Sequence, residues 1–107
     1  LIIVSLHWGE EYQTRASKFQ KSLARELIDA GADLIVGHHP HVVQEFEKYK
    51  SGYIFYSLGN FVFDQNFSED TQKGLIAKIT VICGKITKAE SIKIKFTSTF
   101  QPEIAEL

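Results

Sequence analysis

The chain has 107 residues, a formal net charge of -1 and 44% apolar content, with eight Phe and four Tyr. That is enough for one small domain with a real core, and it lacks the basic excess of a general nucleic-acid binder. One cysteine, Cys83, rules out an internal disulfide and a cysteine-rich zinc site. No apolar run reaches the roughly 20 residues of a membrane span.

In chain order, residues 1–6 (Leu1-Ile2-Ile3-Val4-Ser5-Leu6) read as a buried strand, apolar on both faces. A loop follows from His7 to Gln13. Residues 14–30 have helical periodicity, with Phe19, Leu23, Ala24, Leu27 and Ile28 on one face and Lys18, Lys21, Arg25 and Glu26 on the wet side. Thr14 or Ser17 is placed to cap the start and Gly31 the end. Asp33-Leu34-Ile35-Val36-Gly37 is a second short buried strand. Strand, helix and strand make a βαβ unit, with parallel strands and a right-handed crossover.

Beyond Pro40 the pattern changes. Residues 42–49 read as extended and pair through a turn at Lys50-Ser51-Gly52 with the aromatic strand 53–58. Gly59-Asn60 breaks that run and Phe61-Val62-Phe63 resumes it. Residues 64–73 form an acidic, mobile loop. Residues 74–83 and 86–100 alternate as two long strands about Gly84-Lys85, with Ile92, Ile94 and Phe96 inward, and 101–107 is a tail. The expected class is α/β (an α+β sandwich), a βαβ start followed by mainly antiparallel strands. One helix leaves this architecture under-covered. The sequence has no methionine and opens directly in an apolar strand. Both features suggest a single partial domain, 1–107, of a longer protein, in which a membrane anchor or signal segment could precede this portion.

The chemistry-bearing stretch is Gly37-His38-His39-Pro40-His41-Val42, with three of the four histidines; the fourth, His7, ends the first strand. Parallel strands put both C-terminal ends on one sheet edge, where open α/β sheets bind ligands. In extended backbone His39 and His41 point the same way and His38 points away, with Pro40 keeping His39 extended. Two imidazoles plus His7 suit a borderline divalent metal rather than calcium. A lone histidine is otherwise an ordinary hydrogen-bonded residue, and that is the simpler reading of His38, with a supporting role near the metal as the alternative. Trp8 reads as a packing wall. Glu10 and Glu11 read as loop carboxylates, with a supporting or ligand role open to either. Asn60 is either a turn residue, the slightly favoured reading, or a polar group aimed at the site. Asp64 has the same choice.

Three blocks, His7-Trp8-Gly9, Gly37-His38-His39-Pro40-His41-Val42-Val43-Gln44 and Tyr56-Ser57-Leu58-Gly59-Asn60-Phe61-Val62-Phe63-Asp64, together resemble the capsule-synthesis CapA/PgsA family. That family serves poly-γ-glutamate capsule production and belongs to the calcineurin-like metallophosphoesterase superfamily. The resemblance covers about residues 1–65 and implies the C-terminal part of such a domain. It implies metal-ligand roles for His7, His39 and His41, and none for His38. It also implies a centre of two divalent transition metals (Mn, Fe or Zn) that activates water and stabilises charge at phosphorus. The superfamily's earlier Asp-x-His, Gly-Asp and Asn-His blocks do not occur in these residues. The partner expected for this portion is therefore the N-terminal half of the same domain. Alone it would hold one metal weakly at most and would not catalyse. A phosphoester or a polyanionic polymer is the implied substrate, no nucleic acid is expected, and a non-catalytic accessory role in polymer assembly or export is the alternative.

Overall fold

The computed structural model describes residues 1–105. Its elements are β1 (Ile3–His7), α1 (Lys18–Asp29), β2 (Leu34–His38), β3 (Phe46–Tyr49), β4 (Gly52–Phe55), β5 (Lys73–Ile82), β6 (Lys85–Phe96) and β7 (Pro102–Ile104). They form a mixed four-stranded sheet in the order β1-β2-β4-β3 and an antiparallel three-stranded sheet in the order β5-β6-β7. One helix with two sheets is an α+β fold, as the hydrophobic patterning predicts. Among the described residues no helix is long and apolar enough to cross a membrane.

The βαβ start is present. β1 and β2 run parallel, with Ser5 opposite Val36 and His7 opposite His38. Ser17 caps α1: its Oγ accepts the Gln20 amide at 3.1 Å, while Gln20 Oε1 accepts the Ser17 amide at 2.9 Å. Gly31, at φ +116°, takes the chain out of the helix. The helix thus begins at Lys18 rather than at 14. The buried stripe runs through Gln20, Ala24 and Ile28. Phe19, expected on that face, is 69% exposed, because it lies about 100° around the axis from Gln20. Gln20 is instead buried as a polar residue, and its Nε2 donates to Gln44 Oε1 at 2.9 Å.

Trp8, Ala24, Ile28, Ala32, Ile35, Ile54 and Tyr56 form the core between helix and sheet, with Val4 and Leu6 packed against it. β1, read from sequence as buried on both faces, is not. It is the outer strand of its sheet, and only Val4 and Leu6 face the helix side, while Ile3 is 54% exposed.

β3 and β4 form the expected hairpin about Lys50-Ser51. β4 also lies parallel to β2, with Ile35 opposite Ile54, so β3 becomes the far edge. Hydrophobic alternation carries no information about that insertion. Phe61-Val62-Phe63 is exposed loop rather than resumed strand, because the chain leaves the sheet after Leu58 and Gly59 make isolated bridges to Val43 and Gly74. The acidic stretch contains a 3₁₀ turn, Asp70–Gln72, around the buried Thr71. The expected tail includes β7, whose Ile104 pairs with Ile94; residues 106–107 of that tail lie outside the described residues. Between the two sheets an open cleft of about 480 Å³ is lined by Leu34, Val36 and His38 on one side and Leu75, Ala77 and Ile79 on the other.

A charged network ties helix to hairpin. Arg25 Nη2 donates to Glu47 Oε2 at 2.7 Å and the Tyr56 hydroxyl donates to Glu47 Oε1 at 2.6 Å. Burial pushes the Glu47 carboxyl up, but the bonds from Arg25 and Tyr56 outweigh it and hold the group below its ordinary value. Burial and the Glu47 carboxylate in turn raise the Tyr56 phenol. A carboxyl depressed in the folded state stabilises the fold above the unfolded pKa of about 4.3, and that contribution is lost as pH falls through the lower folded value. The urea midpoint is expected to fall on acidification below about pH 4.5. Glu47→Gln should lower the midpoint at neutral pH and flatten the acid limb. An acid limb of unchanged steepness in Glu47→Gln would show that Glu47 does not contribute to it.

Candidate functional site

The C-terminal ends of β1 and β2 meet at one edge of the mixed sheet. The Trp8 amide donates to the His38 carbonyl at 3.0 Å, continuing the ladder one residue past β1. Trp8 itself is buried, stacks on Tyr56 at 5.9 Å and donates its indole N–H to the Tyr56 carbonyl at 2.8 Å. It is the packing wall of the site.

The histidine turn is built differently from its sequence expectation. His39 has φ +106° and His41 φ +62°. Neither is extended, so period-two alternation does not align them, and Pro40 does not hold His39 in the extended region. The chain turns sharply out of β2 at this point, and the turn is docked by the Tyr12 amide, which donates to the Pro40 carbonyl at 2.8 Å. Tyr12 also has positive φ, +64°. Three non-glycine residues in the left-handed half of conformational space thus lie in two adjoining loops. Strain of this kind concentrates at functional sites.

The rings nevertheless come together. His7 and His39 have centroids 4.4 Å apart, and His39 and His41 5.7 Å apart. His39 is the shared neighbour. His38, in register with His7 at the end of β2, is exposed and faces the inter-sheet cleft rather than this cluster. His41 Nδ1 lies 3.0 Å from Asn60 Oδ1, and its Nε2 is 3.9 Å from Glu11 Oε2. Glu11, not Glu10, is the carboxylate that approaches the histidines; Glu10 is exposed. Asn60 is 6% exposed and is aimed at the site rather than serving only the turn. Asp64 is exposed on the following loop.

Several participants carry no sequence signal. Tyr12 packs near His41 at 6.0 Å and edge-on to Phe67 at 5.0 Å, while Phe63 approaches His41 at 5.1 Å. Partial desolvation and the neighbouring Glu11 raise the Tyr12 phenol above its ordinary value. Gln65 bridges, donating from Nε2 to the Tyr12 hydroxyl at 3.2 Å and accepting from Asn60 Nδ2 at 3.1 Å. A tyrosine in a left-handed turn and a glutamine in a polar loop look ordinary in a linear sequence.

The donor set fits a divalent metal in kind and location: three imidazoles at one sheet edge, with a carboxylate beside them. It is not closed. Among the described residues no three His, Cys, Asp or Glu side chains converge as metal ligands.

The profile of the bacterial capsule synthesis protein family PGA_cap matches residues 1–65, which hold β1, the histidine turn and the Asn60 segment. The chain belongs to this family. Among relatives of the PGA_cap chain is the capsule biosynthesis protein CapA of Bacillus anthracis, 57% identical over 76 residues. That match covers 71% of this chain and 18% of the relative. The PGA biosynthesis protein CapA of Bacillus subtilis (strain 168) is 50% identical over 76 residues, 71% of this chain and 20% of its own length. A probable polyglutamine synthesis accessory protein of Mycobacterium tuberculosis is 36% identical over 64 residues, 60% of this chain and 17% of that protein. The chain spans about a fifth of the length of these relatives.

Proposed function

We propose that the protein serves poly-γ-glutamate capsule production as a metal-dependent hydrolase of phosphoesterase type, and that this chain supplies His7, His39 and His41 to its metal centre. The observation that carries this reading is the approach of His7 and His39, from two different strand ends, to 4.4 Å between ring centroids. Bound divalent metal would supply charge neutralisation at a phosphoryl oxygen. This chain's residues would hold the metal through imidazole nitrogens, with Glu11 at the rim and Trp8 closing the floor. The remaining ligands of a two-metal centre would come from the N-terminal half of the same domain, outside these residues. The substrate class is a phosphoester or a polyanionic polymer. The test is hydrolysis of a chromogenic phosphodiester by the full-length protein, chelator-treated and then resupplied with Mn²⁺ or Zn²⁺. Metal-restored turnover is expected; turnover indifferent to chelation would contradict the reading.

A second reading is a non-catalytic accessory role in polymer assembly or export. One observation favours it: the mycobacterial relative is a probable polyglutamine synthesis accessory protein. It predicts metal binding without turnover in the same assay.

A further inference from the structure

We propose that Asn60 is the positioning residue for His41: it accepts the Nδ1 hydrogen and so presents an unprotonated Nε2 to the site. This rests on the metal-site reading for its purpose but on separate geometry for its content. Amide orientation decides it. Asn60 Nδ2 lies 2.9 Å from the Thr71 carbonyl, an oxygen that can only accept, and 3.1 Å from Gln65 Oε1. The NH₂ group must therefore face Thr71 and Gln65, which leaves Oδ1 facing His41 Nδ1 at 3.0 Å. An acceptor there requires Nδ1 to carry the hydrogen. A neutral His41 then has its lone pair on Nε2, the tautomer that free imidazole side chains favour less.

The acceptor is held firmly. Thr71 is fully buried, and its hydroxyl donates to the Ser68 carbonyl at 2.9 Å. Its carbonyl is thereby fixed in the 3₁₀ turn that receives Asn60. Gln65 extends the chain of bonds to the Tyr12 hydroxyl, and the Tyr12 amide is tied to the Pro40 carbonyl between the two histidines. On its other side, Nε2 looks toward Glu11 Oε2 at 3.9 Å. Two lone-pair groups facing each other at that spacing is an arrangement that a shared cation relieves. Histidine ligands characteristically have the ring nitrogen remote from the metal held by such a partner.

The test is long-range ¹H–¹⁵N correlation of histidine-labelled, metal-free full-length protein at alkaline pH. His41 is expected to show a protonated Nδ1 and a bare Nε2. Asn60→Ala should swing it to the opposite tautomer and weaken Zn²⁺ binding by about 10–100-fold. Asn60→Asp, which keeps an acceptor there, should retain the wild-type tautomer. A wild-type His41 protonated on Nε2 overturns the proposal, and this measurement stands even if Asn60→Ala does not fold. An unchanged tautomer in folded Asn60→Ala also overturns it. The expected tautomer with no Zn²⁺ uptake supports the positioning role and contradicts only the metal reading.

Discussion

Replacing His39 with alanine in the full-length protein is expected to lower affinity for Mn²⁺ or Zn²⁺, and metal-dependent hydrolysis with it, by more than about a hundredfold. Loss of a residue that only supports a ligand typically costs about 10–100-fold, and the proposed function makes His39 a ligand itself. Its ring neighbours both His7, at 4.4 Å, and His41, at 5.7 Å. Without it the two remaining imidazoles have no common neighbour. The matched control is His38→Ala. His38 pairs with His7 across the strands, yet it faces the inter-sheet cleft and is exposed. It should leave affinity and turnover close to wild type. Isothermal titration with each metal, read beside the hydrolysis assay, separates the alternatives. Equal losses in the two variants would mean that His39 has no special role. Lost affinity with no turnover in either the wild type or the variant would favour the accessory reading.

Gly37→Ala is expected to destabilise the domain by about 2–6 kcal/mol, combining overpacking of about 1–3 kcal/mol with a broken buried hydrogen bond of about 1–3 kcal/mol. A Cβ at Gly37 would sit 1.9 Å from the Tyr56 carbonyl oxygen and 2.2 Å from Trp8 Nε1. It would enter the space between the donor and acceptor of the Trp8–Tyr56 bond. Both neighbours are in the core and neither can move away cheaply. The position immediately precedes the histidine turn, so the glycine is needed for close approach of the strand to the wall of the site rather than for a left-handed backbone. Urea unfolding followed by Trp8 fluorescence measures the loss directly, since Trp8 is the only tryptophan. A midpoint shifted by less than the equivalent of about 1 kcal/mol would show that the core yields more than close packing allows.

The elements with strong local signals were legible in the chain. Helical periodicity, Ser17 and Gly31 locate α1, and the apolar runs locate β1 and β2 and their parallel pairing. The alternation of β5 and β6 and their antiparallel pairing are plain, but the turn falls at Cys83-Gly84, one residue before the Gly84-Lys85 expected, and a bulge between Thr80 and Val81 shifts the register. What could not be read was non-local. Nothing in Tyr53-Ile54-Phe55 says that β4 inserts beside β2. Nothing in the first six residues says that β1 lies at a sheet edge.

At the site, the sequence offered candidate residues, but the backbone that places them was not legible. His39 neighbours both His7 and His41, but through left-handed φ at His39 and His41 rather than through extended alternation. That grouping rested on an argument whose backbone premise fails. Asn60 illustrates the same limit from the other side. Its sequence setting, after Gly59, is that of a turn, and its hydrogen bonds go to Thr71, Gln65 and His41, three groups spread over thirty positions of chain. Glu11 and Tyr12 depend on how one loop folds over the turn, which no local pattern encodes.

The central claim is that His7, His39 and His41 are metal ligands, and anomalous scattering tests it most directly. Crystals of the full-length protein loaded with Zn²⁺ and measured on both sides of the zinc edge are expected to show a peak about 2.0–2.1 Å from ring nitrogens of these histidines, the ordinary zinc–imidazole distance. His41 should bind through Nε2. A zinc-loaded crystal whose anomalous peaks all lie away from these three rings would contradict the account.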